Sequence, residues 1–141
     1  MIKTLQEKFW QGNFGNHYIK RNLSSKKREF FFKTILKTNN IKFKNIFEIG
    51  TNNGVNLNAI KSLNKDIKTF GLELNKNAFD IARKNHKVYN ESALNFKSDK
   101  KYDLVLTSCV LIHINPKQLK KIYDLIYKLS KKYILINEYH N

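Results

Sequence analysis

Two acids, two glycines and a histidine carry most of the chemistry this sequence could perform, and each lies beside an apolar run. In Ile46-Phe47-Glu48-Ile49-Gly50-Thr51-Asn52-Asn53-Gly54, an acid sits near the end of an apolar segment and two glycines bracket the bend that follows. Glycine at position 50 allows unusual backbone angles and close approach of a ligand, whereas Gly54 lets a following helix pack tightly on the strand. Thr51 and Asn52 complete the bend, and asparagine tolerates left-handed geometry better than most residues. Such a bend presents free N–H groups at a helix N-terminus, where nucleotide ligands bind in open α/β sheets. Glycine-containing strand-to-helix turns without a ligand are also common, so the bend alone leaves both readings open.

The second acid narrows the choice. Glu73 closes Thr69-Phe70-Gly71-Leu72-Glu73, about twenty residues past the bend, the register in which a carboxylate accepts from both hydroxyls of an adenosine ribose. The competing reading, a solvated glutamate, does not explain an acid that ends an apolar strand directly before a helix start. His113 lies in an apolar run and reads either as a satisfied core histidine or as a base. Glu138, just past the last apolar run, is a second candidate base. Cys109 is the only cysteine, which excludes an intrachain disulfide and a thiolate cluster; it reads as a small buried residue. The sequence shows no metal-ligand spacing.

These residues need a scaffold that brings them together. From Ile46 onward, short apolar runs alternate with longer polar-periodic segments, the signature of β-α units around a parallel sheet. Five strands are predicted at 45–49, 68–73, 87–90, 102–107 and 132–137, with helices at 55–63, 76–85 and 116–129. In the last helix Pro116 suits a first turn, and Leu119, Ile122, Ile126 and Leu129 recur at helical spacing. Only a loop or one helical turn fits between Glu91 and Lys101. Ahead of the sheet, 2–10 and 24–37 read as helices, with a Gly- and aromatic-containing stretch at 12–18 between them. Ser24 and Ser25 offer an N-cap before the Phe30, Phe31, Phe32 cluster. The whole is one domain, a helical cap over 1–40 and an α/β core over 41–141, since 141 residues leave too little material for a second core.

Composition bounds the partners. No apolar stretch approaches the ~20 residues that span a bilayer, and no signal-peptide segment follows Met1, so a soluble cytoplasmic protein is expected. A net charge of +16 raises the prospect of nucleic acid. Arginine, however, occurs only at Arg21, Arg28 and Arg83 among 27 basic side chains, and the lysines are spread over nearly every segment rather than one stripe. Lysine with abundant Asn and Ile reads as the bias of an AT-rich genome, and nucleic acid is the less favoured partner.

Taken together the residues resemble class I S-adenosylmethionine-dependent methyltransferases, and more narrowly the methylases associated with pseudaminic acid biosynthesis. Three stretches carry the resemblance: Phe9-Trp10-Gln11-Gly12-Asn13-Phe14-Gly15 with Tyr18, Arg21 and Asn22; Phe47 through Leu57; and Val110-Leu111-Ile112-His113-Ile114-Asn115-Pro116 with Tyr133 through Tyr139. It implies a Rossmann-like fold with strand order 3-2-1-4-5 and S-adenosylmethionine as cofactor. Glu48, Gly50, Thr51, Asn52 and Gly54 would surround its methionine part, and Glu73 with Leu74 its ribose. Ser92, Ala93 and Leu94 would border the adenine; class I enzymes often place an acid there, and this chain offers Ser92 or Asn95. Thr107, Ser108 and Cys109 would face the sulfonium and the acceptor. Trp10, Phe14, Tyr18 and Arg21 would close over the cofactor, Arg21 pairing with its carboxylate, unless Trp10 and Phe14 are only core aromatics.

The resemblance implies a small-molecule acceptor, a sugar or sugar nucleotide, with His113 or Glu138 as an optional base. Competing readings are a truncated cofactor-binding module and a nucleic-acid methyltransferase. The chain lacks the C-terminal strand pair usual in this fold, so the fifth strand is expected to be an open edge, covered by the N-terminal helices or by self-association.

Overall fold

A computed structural model describes residues 3–21 and 24–139. Five strands, β1 (Asn45–Ile49), β2 (Lys68–Leu72), β3 (Lys87–Tyr89), β4 (Tyr102–Ser108) and β5 (Ser130–Asn137), form one sheet in the order β3-β2-β1-β4-β5. Every pairing is parallel. This is the predicted architecture, with strand ends shifted by one or two residues.

Because side chains alternate across a strand, the two faces carry separate cores. Ile46, Leu104 and Leu106 on one face meet Phe32 of α3 (Lys26–Thr38) and Leu57 and Ile60 of α4 (Val55–Leu63). Phe47, Ile49 and Val105 on the other face meet Ile122, Leu125, Ile126 and Leu129 of α6 (Leu119–Leu129). Each of these fully buried side chains contributes roughly 1.5–3 kcal/mol of apolar transfer. The third crossover has no helix; Phe96 anchors it in the second core, and its N–H donates to the Ser92 carbonyl. α5 (Lys76–Ala82) is shorter than predicted, and Pro116–Gln118 forms a 3-10 turn ahead of α6 instead of its first turn.

The N-terminal region departs most from expectation. α1 (Leu5–Gln11) is followed by α2 (Asn13–Arg21), where the sequence suggested an irregular stretch. Gly12 ends α1 in extended backbone, and the chain re-enters a helix at once. Gly15 exists for close approach: a Cβ there would lie 1.9 Å from the Trp10 carbonyl oxygen and 2.8 Å from Asn75 Nδ2. The expected serine cap also differs, since Ser25 donates its hydroxyl to Glu29 rather than accepting from the helix backbone. Ile2 and Asn22 lie outside the described residues.

Among the described residues, no N-terminal segment pairs with the free edge of β5. α1 packs on α2, α2 on α5 and α3 on α4, and β5 pairs only with β4 among the described residues. Ile134 and Ile136 are 43% and 47% exposed along that edge.

Candidate functional site

The carboxyl ends of the strands open into a cavity of about 460 Å³, within the ~300–1,000 Å³ of small-molecule sites. α1, α2 and α3 wall it on the side away from the sheet.

The bend after β1 is shaped by its backbone. Gly50 has φ +72°, Asn52 +49° and Gly54 +84°. A Cβ at Gly50 would lie 2.5 Å from Val110, so glycine is required there by packing as well as by conformation. The N–H groups of Gly50 and Thr51 both donate to the Leu72 carbonyl, which ties the bend to the end of β2. Under Gly54 lies His86, whose Nδ1 is 2.7 Å from Thr69 Oγ1 and whose Nε2 is 2.9 Å from Asn58 Oδ1. Asn58 Oδ1 can only accept, so Nε2 carries the proton and the Thr69 hydroxyl donates to Nδ1. Burial and the nearby Lys61 push His86 down to about 4, which keeps it neutral.

Glu48 is buried beneath this bend. It accepts from Thr51 Oγ1 at 2.8 Å and Asn56 Nδ2 at 2.6 Å. Burial pushes its carboxyl up to about 7, against the two hydrogen bonds, with Glu73 raising it and Arg28 lowering it. Glu73 sits at the cavity wall, its Oε2 accepting from Asn52 N–H and its Oε1 from Asn75 N–H, each at 2.7 Å. Burial raises its carboxyl, and the backbone N–H groups of Asn75, Asn52 and Leu74 oppose the shift. A carboxylate has about four acceptor positions, so Glu73 keeps capacity for a further donor.

At the end of β4, Cys109 takes φ +56° and donates its N–H to the Asn137 carbonyl. The 3-10 turn Leu111–His113 follows, with Glu138 Oε1 accepting from the N–H groups of Val110 and Leu111 at 3.0 and 3.1 Å. Glu138 Oε2 is buried without a hydrogen-bond partner among the described residues. Burial lowers the His113 imidazole and the Glu138 carboxylate opposes that, so the ring is neutral at neutral pH. His113 lies against Trp10, ring centroids 4.6 Å apart, and Trp10 in turn meets Phe14 and Tyr18 edge-on.

The structure brings most of the predicted residues to one cavity: Trp10, Tyr18, Gly50, Thr51, Asn52, Glu73, Leu74, Ser92, Ala93, Leu94, Ser108, Cys109 and His113 all line it. It places six outside the lining. Phe14 is on the outer side of α2, stacked on Phe9. Arg21 lies over the Phe14 and Tyr18 rings, its guanidinium 5.6 and 5.2 Å from their centroids. Thr107 is fully buried in the sheet, Glu48 and Gly54 support the bend from behind, and Glu138 supports the loop after β4. Of the two adenine candidates after β3, Ser92 reaches the cavity and Asn95 does not.

Sequence reasoning missed Glu7 and Asn75, and overlooked Lys27 and Arg28, which bring positive charge to the wall where Arg21 was expected. For Asn75 a signal existed. It is the N-cap of α5, accepting from Ala78 N–H, and such a cap after an apolar strand is readable. Its side-chain amide also donates to the Trp10 carbonyl and to Asn16, which docks the N-terminal helices; no local pattern announces that.

No protein-family model matches the chain, and no curated protein matches it. Solved structures do. The plantazolicin methyltransferase BpumL in complex with SAH superposes with a TM-score of 0.72 at 18% identity, over 93% of this chain and 56% of that one. A SAM-dependent methyltransferase from Archaeoglobus fulgidus gives 0.67 at 20% identity, over 87% and 57%. Magnesium protoporphyrin IX methyltransferase (ChlM) from Synechocystis PCC 6803, with bound SAM, gives 0.71 at 10% identity, over 96% and 77%. The chain spans a little over half the length of the first two. With its parallel sheet in the order β3-β2-β1-β4-β5, the fold is that of the class I S-adenosylmethionine-dependent methyltransferases.

Proposed function

We propose that this chain binds S-adenosylmethionine in the cavity at the strand ends and transfers its methyl group to a small-molecule acceptor. The observation that carries the reading is Glu73: a buried carboxylate at the tip of β2, fixed by backbone N–H groups including those of Asn52 and Asn75, with acceptor capacity left for a ribose hydroxyl. The residues present fit the cofactor: the bend after β1 and the basic Arg28 line the cavity and suit a methionine tail, and the apolar Leu74, Ala93 and Leu94 offer walls to a base. When bound, the sulfonium supplies an activated methyl group, and in-line placement supplies much of the acceleration. Ser108, Cys109 and His113 line the acceptor end, and neutral His113 is suited to take a proton from a hydroxyl or ammonium acceptor. A sugar or sugar nucleotide as acceptor rests on the resemblance of the Trp10 and His113 motifs.

A second reading, a cofactor-binding module that needs a strand from another chain before it turns over, is favoured by the open edge of β5. Titration calorimetry with S-adenosylmethionine and S-adenosylhomocysteine tests the first claim. The wild type should bind both, and Glu73→Gln should weaken binding about 10- to 100-fold, the effect of losing charge-assisted hydrogen bonds. Absence of binding by the wild type would refute the function, and binding without methylation of any acceptor would favour the module.

A further inference from the structure

The cavity has an end beyond Glu73 that the proposed function does not yet use. It lies at the tip of β3, where Leu74, Ala93 and Leu94 are apolar and Glu7, Glu91 and Ser92 are polar, Glu7 and Ser92 buried and Glu91 exposed. Glu7 comes from α1, 85 residues away from Ser92 in sequence. Its side chain is buried, at 9% exposure, and no cation pairs with it in an ion pair among the described residues. Two donors hold it in place. The Thr4 N–H donates to Oε2 at 2.7 Å, and the Ser92 hydroxyl donates to Oε1. Burial pushes the carboxyl up, but the hydrogen bonds from Ser92 and Thr4, helped by Lys3, outweigh it and hold Glu7 below its ordinary value.

The donor and acceptor count decides what this pair can recognise. Ser92 has spent its one O–H on Glu7, and its oxygen also accepts from Leu94 N–H at 3.1 Å. An ionised carboxylate offers about four acceptor positions and no donor, so beyond Ser92 and Thr4 Glu7 keeps room for a further donor. The pair therefore presents an acceptor-only edge between apolar walls, which rewards a flat heterocycle with an exocyclic amine and penalises one with a carbonyl at that position.

We propose that Glu7, delivered by the N-terminal helix, is the base-specificity residue of the site and accepts the 6-amino group of a bound adenosyl compound. A base attached to the ribose held by Glu73 at the tip of β2 reaches the adjacent tip of β3, where Glu7 and Ser92 meet. The inference rests on the proposed function and goes beyond it, because it assigns base recognition to a buried acid outside the sheet rather than to the exposed Glu91 of the turn after β3.

The test compares S-adenosylhomocysteine with S-inosylhomocysteine, which differs in carrying a 6-oxo group in place of the amine. Glu7→Gln is the informative variant, since glutamine also serves as the third helical residue of a Thr4 capping box and so keeps α1 formed. By calorimetry the wild type should prefer the adenosyl compound by about tenfold or more. In Glu7→Gln the ratio should collapse toward unity, because an amide can donate to the 6-oxo group. Ser92→Ala, which frees Glu7 without removing it, should keep a preference for the amine. Tight binding of S-adenosylhomocysteine with an unchanged ratio in Glu7→Gln, or no discrimination by the wild type, overturns this inference and leaves the proposed function standing. Failure of the wild type to bind either compound overturns both.

Discussion

Glutamate 48 sets up a test in which removing a charge should stabilise the protein. The perturbation is Glu48→Gln, which keeps both local hydrogen bonds in reach: the amide oxygen accepts from Asn56, and the amide nitrogen donates to the Thr51 hydroxyl. What it removes is the ionisation of a fully buried group. A carboxyl raised from 4.5 to about 7 costs the folded state roughly 3 kcal/mol once the group is ionised. The folded-state value lies above the unfolded one, so the folded chain holds a proton that the unfolded chain has already lost. That contribution to stability is complete below pH 4.5 and is lost as pH rises through about 7. His86 runs the other way: lowered from 6.5 to about 4, it contributes stability above 6.5 that is lost as pH falls. Glu73 is raised like Glu48 and adds to its trend. A single wild-type curve therefore mixes opposing slopes, but the difference between variant and wild type cancels the shared ones. Urea unfolding of both proteins should show the variant gaining on the wild type by roughly 3 kcal/mol between about pH 4.5 and 8. Two curves offset by a constant over that range would refute the burial argument.

Other outcomes follow from the geometry. Gly15→Ala should cost about 1–3 kcal/mol, because its Cβ would collide with the Trp10 carbonyl; a thermal melt unchanged from wild type would contradict the packing of α1 on α2. In a methyl-transfer assay, kcat of the wild type should fall in acid solution with its midpoint below pH 6.5, since burial lowers His113 from its ordinary value; His113→Asn should lower kcat and abolish that acid limb. The β5 edge should drive concentration-dependent association visible in light scattering, and Ile136→Lys should oppose it; a wild type that stays monomeric at every concentration would count against pairing through that strand.

What was legible in the sequence were features that depend on near neighbours. The apolar runs of β1, β4 and β5 declared a buried parallel sheet, and the bend from Gly50 to Gly54 could be placed from glycine chemistry alone. Glu73 was readable because its register from that bend is a geometric constraint of the sheet. α2 was not, because Gly12 and Gly15 look like breakers; only the folded protein reveals that one ends a helix and the other makes room for Trp10 and Asn75. Arg21 looked like a carboxylate partner on charge alone, but its place on α2 directs it over the Phe14 and Tyr18 rings. Glu7 was silent for a similar reason. Within its own segment it is a capping-box residue, and its second partner is Ser92, far along the chain.

The crevice is thus assembled from two sources with unequal freedom to change. Glu73 and the glycine bend belong to the sheet and are tied to its two cores, so altering them disturbs the folding of the whole domain. The helices α1 and α2 are fastened to that sheet mainly through Asn75, Gln11 and the Glu7–Ser92 contact. Selection, or an engineer, can therefore reshape one wall of the cavity by rewriting some twenty residues upstream of the sheet, while the fold itself is inherited untouched.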